Sequence, residues 1–243
     1  PRGTDLPVAP GTEAARALLS GWDGQQTADS AGAAMFNAMW RQMVARMFDA
    51  AAGTEVIKAS GGDRYWTVIE NIWDTPDDFW WDDKTTPAVE TRDETIQASI
   101  AAAITELKGL QGDDPSGWRW GGLHTLLLQN QTLGDSGIGP IEAIFNRGPV
   151  ETAGGESTVD ATGWTPVDGY TVDWVPSMRQ VIDLSDFDAS TWVNHTGASG
   201  HAYNPHYADQ VDSWVNGNQY PWAFTNGAVD AGAVDTLTLN PAG

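Results

Sequence analysis

Apolar residues recur at helical spacing through the first half of the chain. Behind Ser30, a residue type that caps helices, Ala33, Met35, Phe36, Met39, Trp40, Met43, Val44, Met47 and Phe48 share one broad face, and Gly53 closes the segment. This spacing predicts a long core helix. Residues 91–107 repeat the pattern, with Ile96, Ile100, Ile104 and Leu107 on one face and Asp93 and Glu94 in the first turn, where carboxylates suit the helix dipole. Shorter helices are predicted at 11–19 and 65–73, and residues 123–129 are read as continuing helically from the Trp-rich turn before them.

Beyond Gly134 the pattern changes to short runs rich in Val, Ile, Thr and Trp, separated by Gly, Pro, Ser and Thr. Residues 178–184 and 191–196 read as two strands joined into a hairpin, residues 235–239 as a terminal strand, and residues near 205–215 as one interposed helix. The chain therefore reads as α+β, a single unit over 1–243 with 1–133 mainly helical and 134–243 mainly strands and loops. No repeat period is present, and the 13 Trp are spaced too irregularly for a blade or solenoid.

Charge narrows the partners. Twelve Lys and Arg stand against 33 Asp and Glu, a net charge of -21, which opposes binding to nucleic acid or anionic membrane surfaces. No apolar run is long enough for a membrane span, and residues 1–10 lack the basic start and apolar stretch of a signal peptide, so a soluble, already processed chain is expected. The absence of Cys excludes disulfides, thiolate metal sites and cysteine nucleophiles. Lysine occurs only at Lys58, Lys84 and Lys108, and Asp far outnumbers Glu. That bias fits adaptation to concentrated salt, where repulsion is screened, and equally an ordinary acidic secreted protein; the two differ in whether the fold survives low salt.

Motifs with a known mechanism are absent: there is no G-x-S-x-G elbow, no phosphate-binding P-loop and no H-E-x-x-H. His201, His206 and Asp209 have a composition that can bind metal, but a spacing of five suits one helix face poorly, and such histidines more often bond to backbone groups in turns. Asn130 and Asn194 begin glycosylation acceptor patterns. The segment WDTPDDFWWDD, residues 73–83, has the aromatics and carboxylates of a sugar platform, against which stands the commoner role of Trp as core and Asp as helix cap.

Six ordered blocks give the sequence a further meaning. They are Leu19-Ser20-Gly21-Trp22-Asp23-Gly24 with Asp29-Ser30; Trp80-Trp81-Asp82-Asp83 with Glu90-Thr91-Arg92-Asp93-Glu94; Trp118-Arg119-Trp120-Gly121-Gly122-Leu123-His124; Phe145-Asn146-Arg147-Gly148-Pro149; Gly154-Gly155-Glu156-Ser157-Thr158-Val159-Asp160; and Pro176-Ser177-Met178-Arg179-Gln180-Val181-Ile182-Asp183-Leu184 with Thr196-Gly197-Ala198-Ser199-Gly200 and Pro205-His206-Tyr207-Ala208-Asp209-Gln210. In order and spacing this series resembles the C-terminal part of the catalytic chain of the penicillin acylase family of N-terminal nucleophile hydrolases. Two positions depart from the family pattern: Asp160 stands where Asn is usual, and Ala198 where Gln is usual.

The resemblance implies that the chain is part of a four-layer αββα fold. It also implies hydrolysis of a linear amide by an N-terminal Ser, its own α-amine acting as base. Pro1 has no hydroxyl, and the resemblance places the family's oxyanion Asn upstream of the matched region, so neither catalytic group is carried over to any residue here, and no catalytic, metal or cofactor residue is assigned. Structural roles are expected for Trp22, Asp23, Trp120, His124, Arg179, Asp183, His206 and Tyr207. The expected partners are the remaining acylase chains or segments, including one with an N-terminal Ser, and a small-molecule amide. The resemblance further implies export to the periplasm or exterior. The competing readings are a non-catalytic structural or surface-assembly protein derived from the same fold, and a carbohydrate-binding module.

Overall fold

The computed structural model describes residues 12–49 and 58–241. They fall into two compact units that divide between Val175 and Pro176. Helices with small antiparallel sheets make the protein α+β, as the sequence predicts.

In the first unit α1 (Glu13–Gly21) is followed by α2 (Ala31–Val44), which runs into a π-helical turn at Ala45–Asp49. Ser30 fixes the start of α2: its backbone is extended and its hydroxyl accepts from the Ala33 amide at 3.0 Å, a cap worth about 1 kcal/mol. The predicted stop at Gly53 lies outside the described residues. Next come α3 (Asp63–Ile72) and α4 (Arg92–Gln111). A capping box opens α4, with the Thr91 hydroxyl accepting from the Glu94 amide and the Thr91 amide donating to the Glu94 carboxylate at 2.9 Å.

Ala33, Ala34 and Ala38 of α2 join Ala103, Ile104 and Leu107 of α4 in one buried cluster with Trp118, Trp120, Trp164 and Tyr170. The deepest stripe of α4 is rotated from the predicted one: Thr95, Ser99 and Ala103 are buried, while Ile96 and Ile100 are only half-buried. Small side chains let two helices approach closely, and the hydroxyls bury without penalty because Thr95 donates to the Trp81 carbonyl and Ser99 to the Thr95 carbonyl. A second cluster gathers Trp40, Met43, Val44, Met47, Phe48, Ile69 and Trp81, with Trp66 stacked on Trp40 at 3.6 Å between ring centres.

Residues 123–129 are not helical. They contain β1 (Thr125–Leu128), antiparallel to β2 (Arg147–Glu151), and α5 (Gly139–Phe145) lies between the two strands, a helix the sequence reading did not anticipate. Three consecutive leucines carry no helical period, so the available partner strand decides their conformation. β3 (Gly163–Trp164) and β4 (Val172–Trp174) pair as a second ribbon.

In the second unit β5 (Met178–Val181) pairs antiparallel with β6 (Thr191–Asn194), from Met178 opposite Asn194 to Val181 opposite Thr191, and this is the predicted hairpin with shorter strands. β7 (Tyr220–Pro221) joins the far side of β6, leaving β5 at the sheet edge. The single helix expected near 205–215 is a 3-10 turn, Pro205–Tyr207, followed by α6 (Val211–Val215). The last helix is α7 (Asn226–Gly232). The predicted strand at 235–239 does not form; those residues are in neither helix nor strand, since an extended segment needs a ladder partner to be stable.

Candidate functional site

Two of the predicted residues, Trp120 and His124, meet at the centre of the first unit. The Trp120 amide donates to the Ser30 carbonyl and the Gly121 amide to the Ala28 carbonyl, which tie this turn to the start of α2. A one-turn bond from the His124 amide to the Trp120 carbonyl, at 2.8 Å, then brings the imidazole over the indole, with ring centres 4.3 Å apart. Trp120 Nε1 donates to the Gly154 carbonyl at 2.9 Å. His124 Nδ1 lies 2.8 Å from the Tyr170 carbonyl, and Nε2 lies 2.9 Å from the Thr162 hydroxyl and 3.1 Å from the Thr162 carbonyl.

Carbonyl oxygens, which can only accept, stand at both ring nitrogens, Tyr170 at Nδ1 and Thr162 at Nε2, and the Thr162 hydroxyl donates to the Ala153 carbonyl, so either tautomer of the neutral ring donates to one of these acceptors. Burial pushes the imidazole down to about 4, opposed by its bonds to Tyr170 and Thr162 and by the charge of Asp173. Burial likewise raises the Tyr170 phenol above its ordinary value. The imidazole is fully buried, with protein groups at both nitrogens. It ties together three segments: Thr152 adds its amide and hydroxyl to the His124 carbonyl, at 3.0 and 2.8 Å.

Trp22 packs on α2 at Gly32, where an added Cβ would stand 2.6 Å from the indole, and its Nε1 donates to the Gln25 carbonyl at 2.7 Å. Asp23 closes the same turn by accepting from the Gln25 amide at 2.9 Å. Elsewhere in this unit Ser157, held at a left-handed φ of 59°, donates its hydroxyl to the Asp63 carboxylate at the start of α3. Burial first, and then the charges of Asp63 and Asp173, raise the neighbouring Glu156 carboxyl above its ordinary value. Among the described residues no imidazole or amine reaches the Ser157 hydroxyl, so nothing there activates it as a nucleophile.

In the second unit Arg179 lies 4.0 Å over the Trp214 ring and donates to the Trp214 carbonyl at 2.9 Å, clamping α6 to β5. Asp183 accepts from the Ser185 hydroxyl at 2.7 Å and from the Ser185 and Asp186 amides, bonds that hold its carboxyl below the ordinary value. His206 Nδ1 stands 2.7 Å from Asp209 Oδ2 on the surface, and Tyr207 is half-buried in the same turn. Gly197 admits no side chain, because a Cβ there would meet the His206 carbonyl oxygen. His201 turns instead to Tyr203, whose amide donates to its Nδ1 at 3.3 Å. Among the described residues no group of three or more His, Asp or Glu converges as a metal site requires. Asn130 and Asn194 both close turns: Asn130 Oδ1 accepts from the Thr132 and Leu133 amides at 3.0 Å, and Asn194 Nδ2 donates to the Gly197 carbonyl at 3.1 Å.

The sequence reading missed Thr152, Thr162, Trp164 and Tyr170, which complete the surroundings of His124. They lie 28 to 46 residues beyond it in the chain, and no local spacing links them to it. The described residues thus form two structural anchors, around His124 and around Arg179 with Trp214. They do not bring together a nucleophile, a base and an oxyanion donor.

The penicillin amidase family model matches residues 4–231. The acyl-homoserine lactone acylase QuiP of Pseudomonas aeruginosa is 28% identical over 255 aligned residues, which take in 98% of this chain and 30% of that protein. The acyl-homoserine lactone acylase QuiP of Pseudomonas syringae pv. syringae is 29% identical over 220 residues, covering 87% of this chain and 26% of that protein. The penicillin acylase 2 proenzyme of a Pseudomonas species is 27% identical over 233 residues, 95% of this chain and 29% of that protein. The chain spans less than a third of the length of these relatives.

Proposed function

This chain belongs to the penicillin amidase family, and from that premise we propose that it is the C-terminal portion of an amidohydrolase acting on linear carboxamides. The observation that carries the reading is the coverage: the family match runs through nearly all of this chain, yet the relatives are more than three times as long. The catalytic groups are therefore assigned to the remainder of the enzyme, and this portion braces them as part of a four-layer αββα body.

In the complete enzyme an N-terminal Ser attacks the amide carbonyl carbon while its own α-amine, which titrates near 8, takes the hydroxyl proton. The carbon–nitrogen bond breaks, the proton passes to the departing amine, and the acyl group remains as an ester on Ser. Water then cleaves that ester, releasing the acid and restoring the hydroxyl. Relatives are named for acyl-homoserine lactones and for penicillin, both amides of an acyl group on an amine. We assign this chain the same substrate class.

The test uses the complete enzyme with a chromogenic N-acyl anilide and an N-acyl-homoserine lactone. Amine release is expected, at a rate that falls by at least about a thousandfold when the N-terminal Ser is replaced by Ala. An intact enzyme that hydrolyses neither amide, or a Ser→Ala variant of undiminished rate, would overturn the reading.

A further inference from the structure

β5 is open on two sides. The bond from the His195 amide to the Ser177 carbonyl, 2.9 Å, fixes the phase of the β5–β6 ladder. Ser177 and Arg179 point their backbone groups at β6, so those of Met178, Gln180 and Ile182 point away from it. The Asn194 amide agrees with this phase, since it turns from β5 to bond the Gln210 side chain at 2.8 Å. No strand lies beyond β5 in the described sheet.

The side chains there are also uncovered. Arg179 and Val193 face α6 and Trp214, but on the opposite face Met178 is 47% exposed and Ile182 42%, with Tyr220 of β7 exposed beside the Trp192 indole that bonds the Met178 sulfur. Val181 at 59% and Leu184 at 83% extend the apolar run along the edge. An unpaired, apolar edge strand without Lys or Pro is the arrangement that proteins otherwise avoid.

We propose that the free edge of β5 receives a β-strand from the remainder of the acylase polypeptide, which pairs with Met178, Gln180 and Ile182 and covers the apolar face. This rests on the functional reading above. Length and charge both point to this occupant. Some 70% of the relatives' length lies outside this chain, so ample polypeptide exists to supply the strand. A second copy fits poorly, because residues 176–243 carry seven Asp against one Arg and no Lys or Glu, and two like-charged edges would repel.

Gln180→Pro isolates the contact. Proline removes an amide that points out of the sheet, which an edge strand tolerates, and leaves the β5–β6 bonds intact. In the complete enzyme, hydrogen exchange at Met178, Gln180 and Ile182 is expected to be slowed at least about a hundredfold relative to unprotected amides. Gln180→Pro is expected to weaken association of this portion with the rest at least about tenfold, while Gln180→Val, which keeps the amide, binds as before. Unprotected amides at these positions in an enzyme that still hydrolyses its amide would overturn the docking inference and leave the acylase reading standing. A homodimer in sedimentation that Gln180→Pro dissolves would overturn the choice of occupant. An enzyme that forms and protects the edge but cleaves no amide would instead remove the functional reading.

Discussion

The two units bury unequal shares of their apolar residues, although the first also leaves Phe79, Val89 and Val159 exposed. The first buries five tryptophans, Trp40, Trp81, Trp118, Trp120 and Trp164, in two clusters, and the indole nitrogens of the first four donate to the carbonyls of Gly61, Thr75, Gly112 and Gly154. In the second the buried apolar side chains among the described residues are Val193, Ala202, Val211 and Trp214, while Met178, Ile182, Leu184, Phe187, Trp222 and Phe224 stay exposed. The segment after α7 continues the contrast, with Val234, Leu237 and Leu239 almost fully in water. Each buried side chain of this size contributes about 2 kcal/mol, so burial contributes more to the first unit than to the second.

The largest effect that would break this contrast is at Trp120. Trp120→Ala removes a fully buried indole from between α2, His124 and Trp164 and is expected to cost about 3–5 kcal/mol in urea unfolding of the first unit's signal. A cost below about 1 kcal/mol would mean that this core is not the one that matters.

Next in size is a pH effect at His124. Its folded value lies near 4 and its unfolded value near 6.5, so between these the unfolded chain binds the extra proton and stability rises with pH. Acidification from pH 6.5 to 4 is expected to remove about 3 kcal/mol through this group, none of it above pH 6.5. Urea midpoints across that range measure the slope, and His124→Gln should flatten it.

A smaller effect sharpens the comparison of units through a matched pair. Trp120→Phe leaves the Gly154 carbonyl without its donor and is expected to cost about 1–3 kcal/mol. Trp214 Nε1 is buried without a partner among the described residues, so in Trp214→Phe the relief of that group offsets the lost area, and a change within about 1 kcal/mol is expected. Equal costs at the two sites, read from unfolding curves of both variants, would erase the distinction. The smallest effect is at the surface: Arg119→Ala, which breaks an exposed pair with Glu151, should cost less than about 1 kcal/mol.

Much of the first unit was legible in the sequence because its signals are local. Ser30 and Thr91 announce α2 and α4 through caps that need only three residues, and the apolar period of residues 33–48 places the face that is buried. The β5–β6 hairpin was legible for the same reason, as two short β-rich runs across one turn. What the sequence did not disclose depends on distant partners. β1 reads as helix until β2 is known to lie beside it, and the preference of α4 for Thr95 and Ser99 over Ile96 and Ile100 follows from how closely α2 packs. The surroundings of His124 come from Thr152, Thr162 and Tyr170, so the ring's neutrality could not be read from the residues around position 124. The strand expected at 235–239 marks the complementary case, a β pattern with no described strand to pair with.

Native mass spectrometry with N-terminal sequencing tests most directly whether this chain is one portion of a larger acylase. A particle well above 26.0 kDa is predicted, in which this sequence is accompanied in equal amount by acylase polypeptide that includes an N-terminal Ser. A lone, cooperatively folded particle of 26.0 kDa would contradict it.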